Sequence, residues 1–196
     1  MRASSGAGWH GRVVDVTVGG GGGSPTVLVG EPGSRQGDVD NIAAGIALLP
    51  PEGGTICLLA GTHRANITLA GRSQIRFTGC PGLTRWLPTD VTEPLAVLVD
   101  TVDIGFHDII FESGEAPAIV ADKSDPLDAG IANGGLTIED CVFLARHGCA
   151  LKARSLDGAR MAVSSCDRLD QASVECGWST RRSTACSSNA AGDGAA

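Results

Sequence analysis

From Thr55 onward the chain alternates apolar and polar residues in short runs, and Gly, Ser, Asn or Asp interrupts it every few positions. Successive side chains of a strand point to opposite faces, so such runs predict short, half-buried strands. "TICLL" (55–59), "NITL" (66–69) and "IRFTGC" (75–80) are the first three, with "AGTH" (60–63) and "GRSQ" (71–74) as the turns between them. Upstream the period changes. Val39, Ile42, Ile46 and Leu49 recur at steps of three, four and three, which is one face of a helix. A helix is predicted over 38–49, capped by Asp38 or Asp40 and ended by Pro50, Pro51 and the Gly53–Gly54 pair.

The strand pattern is written four times. Its anchors, Ile75, Ile104, Leu136 and Met161, stand 29, 32 and 25 residues apart. Two positions on come Phe77, Phe106, Ile138 and Val163. Turn-tolerant Gly79, Asp108, Asp140 and Ser165 follow, then Cys80, Ile109, Cys141 and Cys166. A second register supports the first. Ile119 in "APAIVA" and Leu151 in "GCALKA" each lie 15 residues after an anchor, and "NITL" and "LAVLV" (95–99) precede anchors by short gaps. Each repeat therefore holds at least two strands.

Short strands repeating at roughly 20 to 50 residues predict a solenoid. In a parallel β-helix each strand pairs with its copy in the next coil, roughly 4.8 Å away, so equivalent side chains stack in columns that keep their character. The expected fold is thus all-β, a parallel β-helix of about four to five coils with the helix at its start. The step of 32 fits a loop inserted at "DKSDPLDAGIANGG" (122–135). A β-sandwich with irregular strands is the alternative, and the in-register repeat favours the solenoid.

Three segments follow. Residues 1–37, with two apolar alternations around a five-glycine run at 19–23, are expected to be a flexible lead or linker. Residues 38–168 form the β-helix domain. Residues 169–196, rich in Ser, Ala and Gly, are expected to be a disordered tail. That tail offers no polar cap, so open strand edges at the last coil predict self-association there.

Composition narrows the partners. The chain has 15 basic and 22 acidic residues, a net charge of −7, and only two lysines, so no basic stripe exists to bind nucleic acid. No apolar run reaches membrane length and no apolar leader follows "MRASSGAGWHGR", so the chain reads as soluble, with no membrane partner and its compartment left open. Seven cysteines include no CxxC pair, so neither a zinc ribbon nor a redox motif is predicted, and no cofactor or metal is expected. A column mixing Cys with Ile109 points instead to cysteine as core filling.

The stretch "IAAGIALLPPEGGTICLLAGTHRANITLAGRSQIRFTGC" (42–80) resembles the opening of the pectin-lyase-like right-handed β-helix superfamily. There an amphipathic helix caps the coil and a "GGT-strand-PG-T-Y-R" segment follows. The matching residues are Gly53, Gly54 and Thr55, then Gly61, Thr62 and Arg64, with Ala60 and His63 where Pro and Tyr are usual. The resemblance implies a right-handed coil. It covers both polysaccharide-degrading enzymes and non-catalytic repeat proteins, including phage-tail and injection-system parts. The polygalacturonase motifs "NTD", "DD" and "GHG" and the esterase "DFIFG" are absent.

Positions between the inward anchors face outward: Arg76 and Thr78, Gly105 and His107, Thr137 and Glu139, Ala162 and Ser164. His107 and Glu139 are predicted to share a column, with Thr78 before them and Ser164 after. With Arg76 close by, this pair is the candidate for acid–base chemistry on a sugar, and otherwise a solvated cross-strand pair. Arg76, Thr78, His107, Thr137 and Glu139 are the candidate binding residues for a polysaccharide or protein partner. Asp108 and Asp140 also stack, as turn residues more than as paired catalytic carboxylates. The expected function is a non-catalytic repeat module acting through an exposed strand face; a lyase-like or hydrolase-like enzyme, or its remnant, is the alternative.

Overall fold

The computed structural model describes residues 25–122, 133–145, 150–153, 160–162 and 165–166. In chain order come β1 (Thr26–Val29), α1 (Ile42–Leu48), β2 (Gly54–Leu58), β3 (Gly61–Arg64), β4 (Ile67–Ala70) and β5 (Ser73–Thr78). Then follow β6 (Thr84–Leu87), β7 (Ala96–Val99), β8 (Val102–His107), β9 (Ile110–Ser113) and β10 (Ile119–Asp122). The last described strands are β11 (Thr137–Glu139), β12 (Val142–Ala145), β13 (Leu151–Ala153), β14 (Arg160–Ala162) and β15 (Ser165–Cys166).

From β2 onward every strand pairs in parallel with the strand three elements later. Three sheets result: β1-β2-β5-β8-β11-β14, then β4-β7-β10-β13, then β3-β6-β9-β12-β15. Parallel strands need a crossover, and here the other two sheets supply it. Such stacked parallel sheets are compatible with a parallel β-helix. The repeat thus holds three strands, one more than the two visible as sequence registers. The third strand was hidden where "AGTH" reads as a turn; Gly61–Arg64 is strand β3, paired with β6.

The predicted columns exist through the third copy. Ile75 faces Ile104, Phe77 faces Phe106, and Phe106 in turn faces Ile138. In the second sheet Ile119 faces Leu151 as expected. The fourth copy is displaced by two residues. Met161 pairs with Ile138, Ser165 with Val142 and Cys166 with Phe143. Ala162, not Ser164, therefore follows Glu139 in its column. The aliphatic anchor pattern tolerates either register, because shifting a strand by two residues leaves the same side chains facing inward.

Inward side chains from the three sheets fill one core. Phe77 stacks on Phe106 with ring centroids 5.2 Å apart, and Phe111 on Phe143 at 5.0 Å. Trp86 lies between the two stacks, 5.6 Å from Phe77 and 5.7 Å from Phe111, and its Nε1–H donates to Ala65 O at 3.0 Å. All four phenylalanines of a chain poor in aromatics stand in this cluster. Each such pair contributes about 0.5–1.5 kcal/mol beyond the burial of area. The second sheet closes the third side with Ile67, Leu69, Leu98 and Ile119.

The helix is shorter than its periodic stripe. It spans Ile42–Leu48, and its cap is Asn41, whose side chain accepts from Ala44 N–H at 2.8 Å. Asp38 is not the cap. It accepts from Leu28 N–H at 2.8 Å on the open edge of β1, where Val39 also forms a bridge to Val29. The apolar stripe still faces one way, since Ile42 and Leu49 are buried and Val39 and Ile46 pack against the same core. Gly45 lets the helix approach β1: a Cβ there would fall 2.9 Å from Val29 Cγ2. Arg72 ties down the far end by donating to Leu49 O and Pro50 O at 3.3 and 3.2 Å. Thr26–Val29, placed by sequence in the flexible lead, is a strand of the first sheet. Residues 1–24 and the expected tail at 169–196 lie outside the described residues, as do Val163 and Ser164.

Candidate functional site

The first sheet turns one face outward, and its rows can be followed along the register. One row runs Thr26, Thr55, Arg76, Gly105, Thr137 and Arg160. The next runs Leu28, Cys57, Thr78, His107, Glu139 and Ala162. The five candidates named from sequence, Arg76, Thr78, His107, Thr137 and Glu139, thus occupy two adjacent rows over three neighbouring strands. A groove of roughly 470 Å³ lies on this face, with Thr55, Gln74, Arg76, Asp103, His107 and Thr137 among its polar lining and Gly105 within it. Thr78 and Glu139 stand in the row behind, beside His107, and are not lining residues.

Three of the polar groups, Thr55, Gln74 and Asp103, are not among the candidates read from the sequence. Gln74 and Asp103 stand just before the anchors of their strands, in one column with Gly53 and Gly135. All four are left-handed, with φ of 97° at Gly53, 53° at Gln74, 56° at Asp103 and 68° at Gly135. At Gly53 no other residue fits, because a Cβ would lie 2.3 Å from the carbonyl oxygens of Ser73 and Gln74. The strained corner sets Gln74 and Asp103 beside the groove.

Gly105 leaves the row without a side chain where its neighbours carry Arg76 and Thr137. A Cβ there would meet His107 Nε2 at 3.1 Å and Cδ2 at 3.6 Å, so the imidazole folds back over this glycine. On its other side, His107 Nδ1 lies 3.3 Å from Glu139 Oε2, with the two side chains 18% and 27% exposed. The expected neighbour pair is therefore formed. His107 Nε2 is shielded from water and has no hydrogen-bond partner. Arg76 is exposed and lines the same groove.

The stacked carboxylates have a turn geometry. Asp108 and Asp140 are both left-handed, with φ of 58° and 52°, at the corners after β8 and β11. Gly79 holds the equivalent place earlier, where a Cβ would fall 2.4 Å from Asp108 O. Ser165 is not in this column, for the register displacement given above. In the loop inserted at 122–135, Asp125 and Asp128 lie outside the described residues.

The cysteines divide by depth. Cys141 is fully buried, its thiol donating toward Glu139 O at 3.3 Å and Phe106 O at 3.5 Å. Burial, and after it the nearby Asp108 and Asp140 carboxylates, push this thiol up to about 12. Cys57 and Cys80 are half-buried, and Cys57 is raised by burial and by the Cys80 thiol. Cys57 belongs to the outward row ahead of Thr78, and Cys166 stands beside Phe143 instead of following Cys141. Among the described residues no helix is long and apolar enough to cross a membrane. Comparison with protein-family models, with curated proteins and with solved structures finds no match to this chain.

Proposed function

We propose that this chain is a right-handed parallel β-helix of the pectin-lyase-like kind, closed at its start by α1, and that it binds a glycan without turning it over. The observation that carries this reading is the groove of roughly 470 Å³ across an extended strand face, with hydroxyl, amide, guanidinium, carboxylate and imidazole groups along it. A linear saccharide offers hydroxyls at regular intervals, and a parallel sheet offers side chains at a regular spacing of roughly 4.8 Å. Among the described residues no Phe or Trp side chain lines the groove, so recognition rests on hydrogen bonds and not on stacking. The segment Gly53–Arg64, which resembles the start of that superfamily, supplies the first strand of the groove floor.

One observation favours the enzymatic alternative. A carboxylate 3.3 Å from an imidazole that lines the groove can orient a general base. A glycan-array and polysaccharide-depolymerisation screen on wild type, His107→Ala and Glu139→Ala separates the two. Binding without turnover supports the module. Turnover that disappears in both variants overturns it in favour of catalysis. The absence of any glycan bound or cleaved overturns the glycan reading and leaves a protein partner for the same face.

A further inference from the structure

Resting on that reading, we propose that His107 Nε2 is the acceptor for a ligand hydroxyl over Gly105, and that Glu139 is the positioning residue that keeps it an acceptor. His107 Nδ1 stands 3.3 Å from Glu139 Oε2, and an ionised carboxylate only accepts hydrogen bonds, so the contact favours the tautomer with its proton on Nδ1. A neutral imidazole carries one proton, and the one on Nδ1 leaves Nε2 as a bare lone pair. That lone pair is the polar atom among the groove residues left buried without a partner. Buried polar atoms are satisfied in the great majority of cases, so an orphan beside a cleft marks a missing partner. Position 105 has no side chain, and the imidazole itself lies over it, with Nε2 3.1 Å from where a Cβ would stand. The contact requires the ring to rotate so that Nε2 turns from the glycine toward the groove.

This assigns a ligand chemistry. The group that approaches Nε2 must bring a hydrogen, as a sugar hydroxyl does; a carboxylate or phosphate oxygen meets a lone pair and is turned away. The contact therefore places a hydroxyl, and not an anionic oxygen, at Gly105. The charged groups on the elements around the ring are Arg76 from β5, Glu139 from β11 with Asp140 after it, and Asp103 and Asp108 on either side of His107 in its own segment.

The test uses the whole chain and two readouts. Imidazole nitrogen shifts from two-dimensional NMR report the tautomer of His107 without any ligand; a proton on Nδ1 and a bare Nε2 are expected at neutral pH. Glu139→Ala should erase that preference while leaving the thermal transition in place. A proton on Nε2 in wild type overturns the proposal whatever binds. Neutral hexasaccharides of glucose, mannose, galactose and xylose, and a galacturonate hexamer, are then titrated into wild type, His107→Phe and His107→Gln. The neutral sugar that binds should shift Nε2 and bind about five- to tenfold more weakly to His107→Phe. His107→Gln, whose amide oxygen can accept at the same place, should restore part of the loss. Equal affinity for wild type and His107→Phe overturns the hydroxyl contact but leaves the glycan reading standing. Binding by none of the five overturns both.

Discussion

Two histidines stand on neighbouring sheets at opposite faces, and the same side chain serves different ends. His63, in the third sheet, points inward at the head of the column His63, Trp86, Phe111 and Phe143. It is 1% exposed, and its Nε2 lies 2.8 Å from Leu59 O. His107, in the first sheet, points outward, reaches Glu139 and lines a groove. Inside, the neighbours in a column are aromatic and the imidazole acts as one more flat ring with a backbone bond. Outside, the neighbours are Thr78 and Glu139, and the ring is oriented by charge. The inward rows of this protein are set by volume and the outward rows by chemistry, so substitutions in the two should differ by kind and by size.

The largest effect is expected at Trp86. It joins the Phe77–Phe106 stack of the first sheet to the Phe111–Phe143 stack of the third, and it is fully buried. Trp86→Ala should cost about 3–5 kcal/mol in urea unfolding, through the cavity and the lost bond to Ala65 O. Leu98→Met, a volume-conserving exchange at an equally buried inward position, should cost less than about 1.5 kcal/mol. Equal losses for the two would mean that the inward rows are not governed by packing.

The same contrast explains what the sequence could and could not convey. The first sheet was legible because its strands carry a full alternation: aliphatic, outward polar, large apolar, outward polar. Ile75, Ile104 and Leu136 repeat with the same partners, so the alternation alone sets His107 and Glu139 side by side. The third sheet was not legible. "GTHR" has no aliphatic residue, and its inward position is the histidine; only the pairing of His63 with Trp86 reveals a strand. Helix capping failed for a related reason. Asp38 and Asn41 are both good caps, and the sequence does not say that Leu28 N–H, 10 residues upstream, needs Asp38. The last copy failed because a two-residue slip preserves the inward pattern and only backbone pairing distinguishes the registers. Gln74 and Asp103 were missed because their place depends on a left-handed corner, which the residue types alone do not announce.

A medium-sized effect is expected at the border between the two kinds of row, in the cysteines. Cys141 is raised to about 12 in the fold, against an ordinary thiol value of about 8.5. A group raised in the folded state contributes its stability below the unfolded value and loses it as pH rises. The urea midpoint should therefore fall as pH increases from about 9 toward about 12. Iodoacetamide at a pH of about 9, followed by peptide mass spectrometry, should label Cys80 and Cys57 well before Cys141. Labelling of Cys141 as fast as Cys80 would remove it from the core.

The smallest effect is expected on an outward row of the third sheet, where Arg85 forms an ion pair with Glu112. The contact is close, yet its side chains are 51% and 22% exposed, and water screens them. Arg85→Ala should change unfolding free energy by less than about 1 kcal/mol, and a double-mutant cycle with Glu112→Ala should give a coupling that shrinks in high salt. The contrast with Trp86 on the same strand is direct, since Arg85 and Trp86 are consecutive and face opposite ways. If Arg85→Ala cost as much as Trp86→Ala, outward residues would be holding the sheets together. The exposed row containing His107 would then have to be explained by stability before it was explained by a ligand.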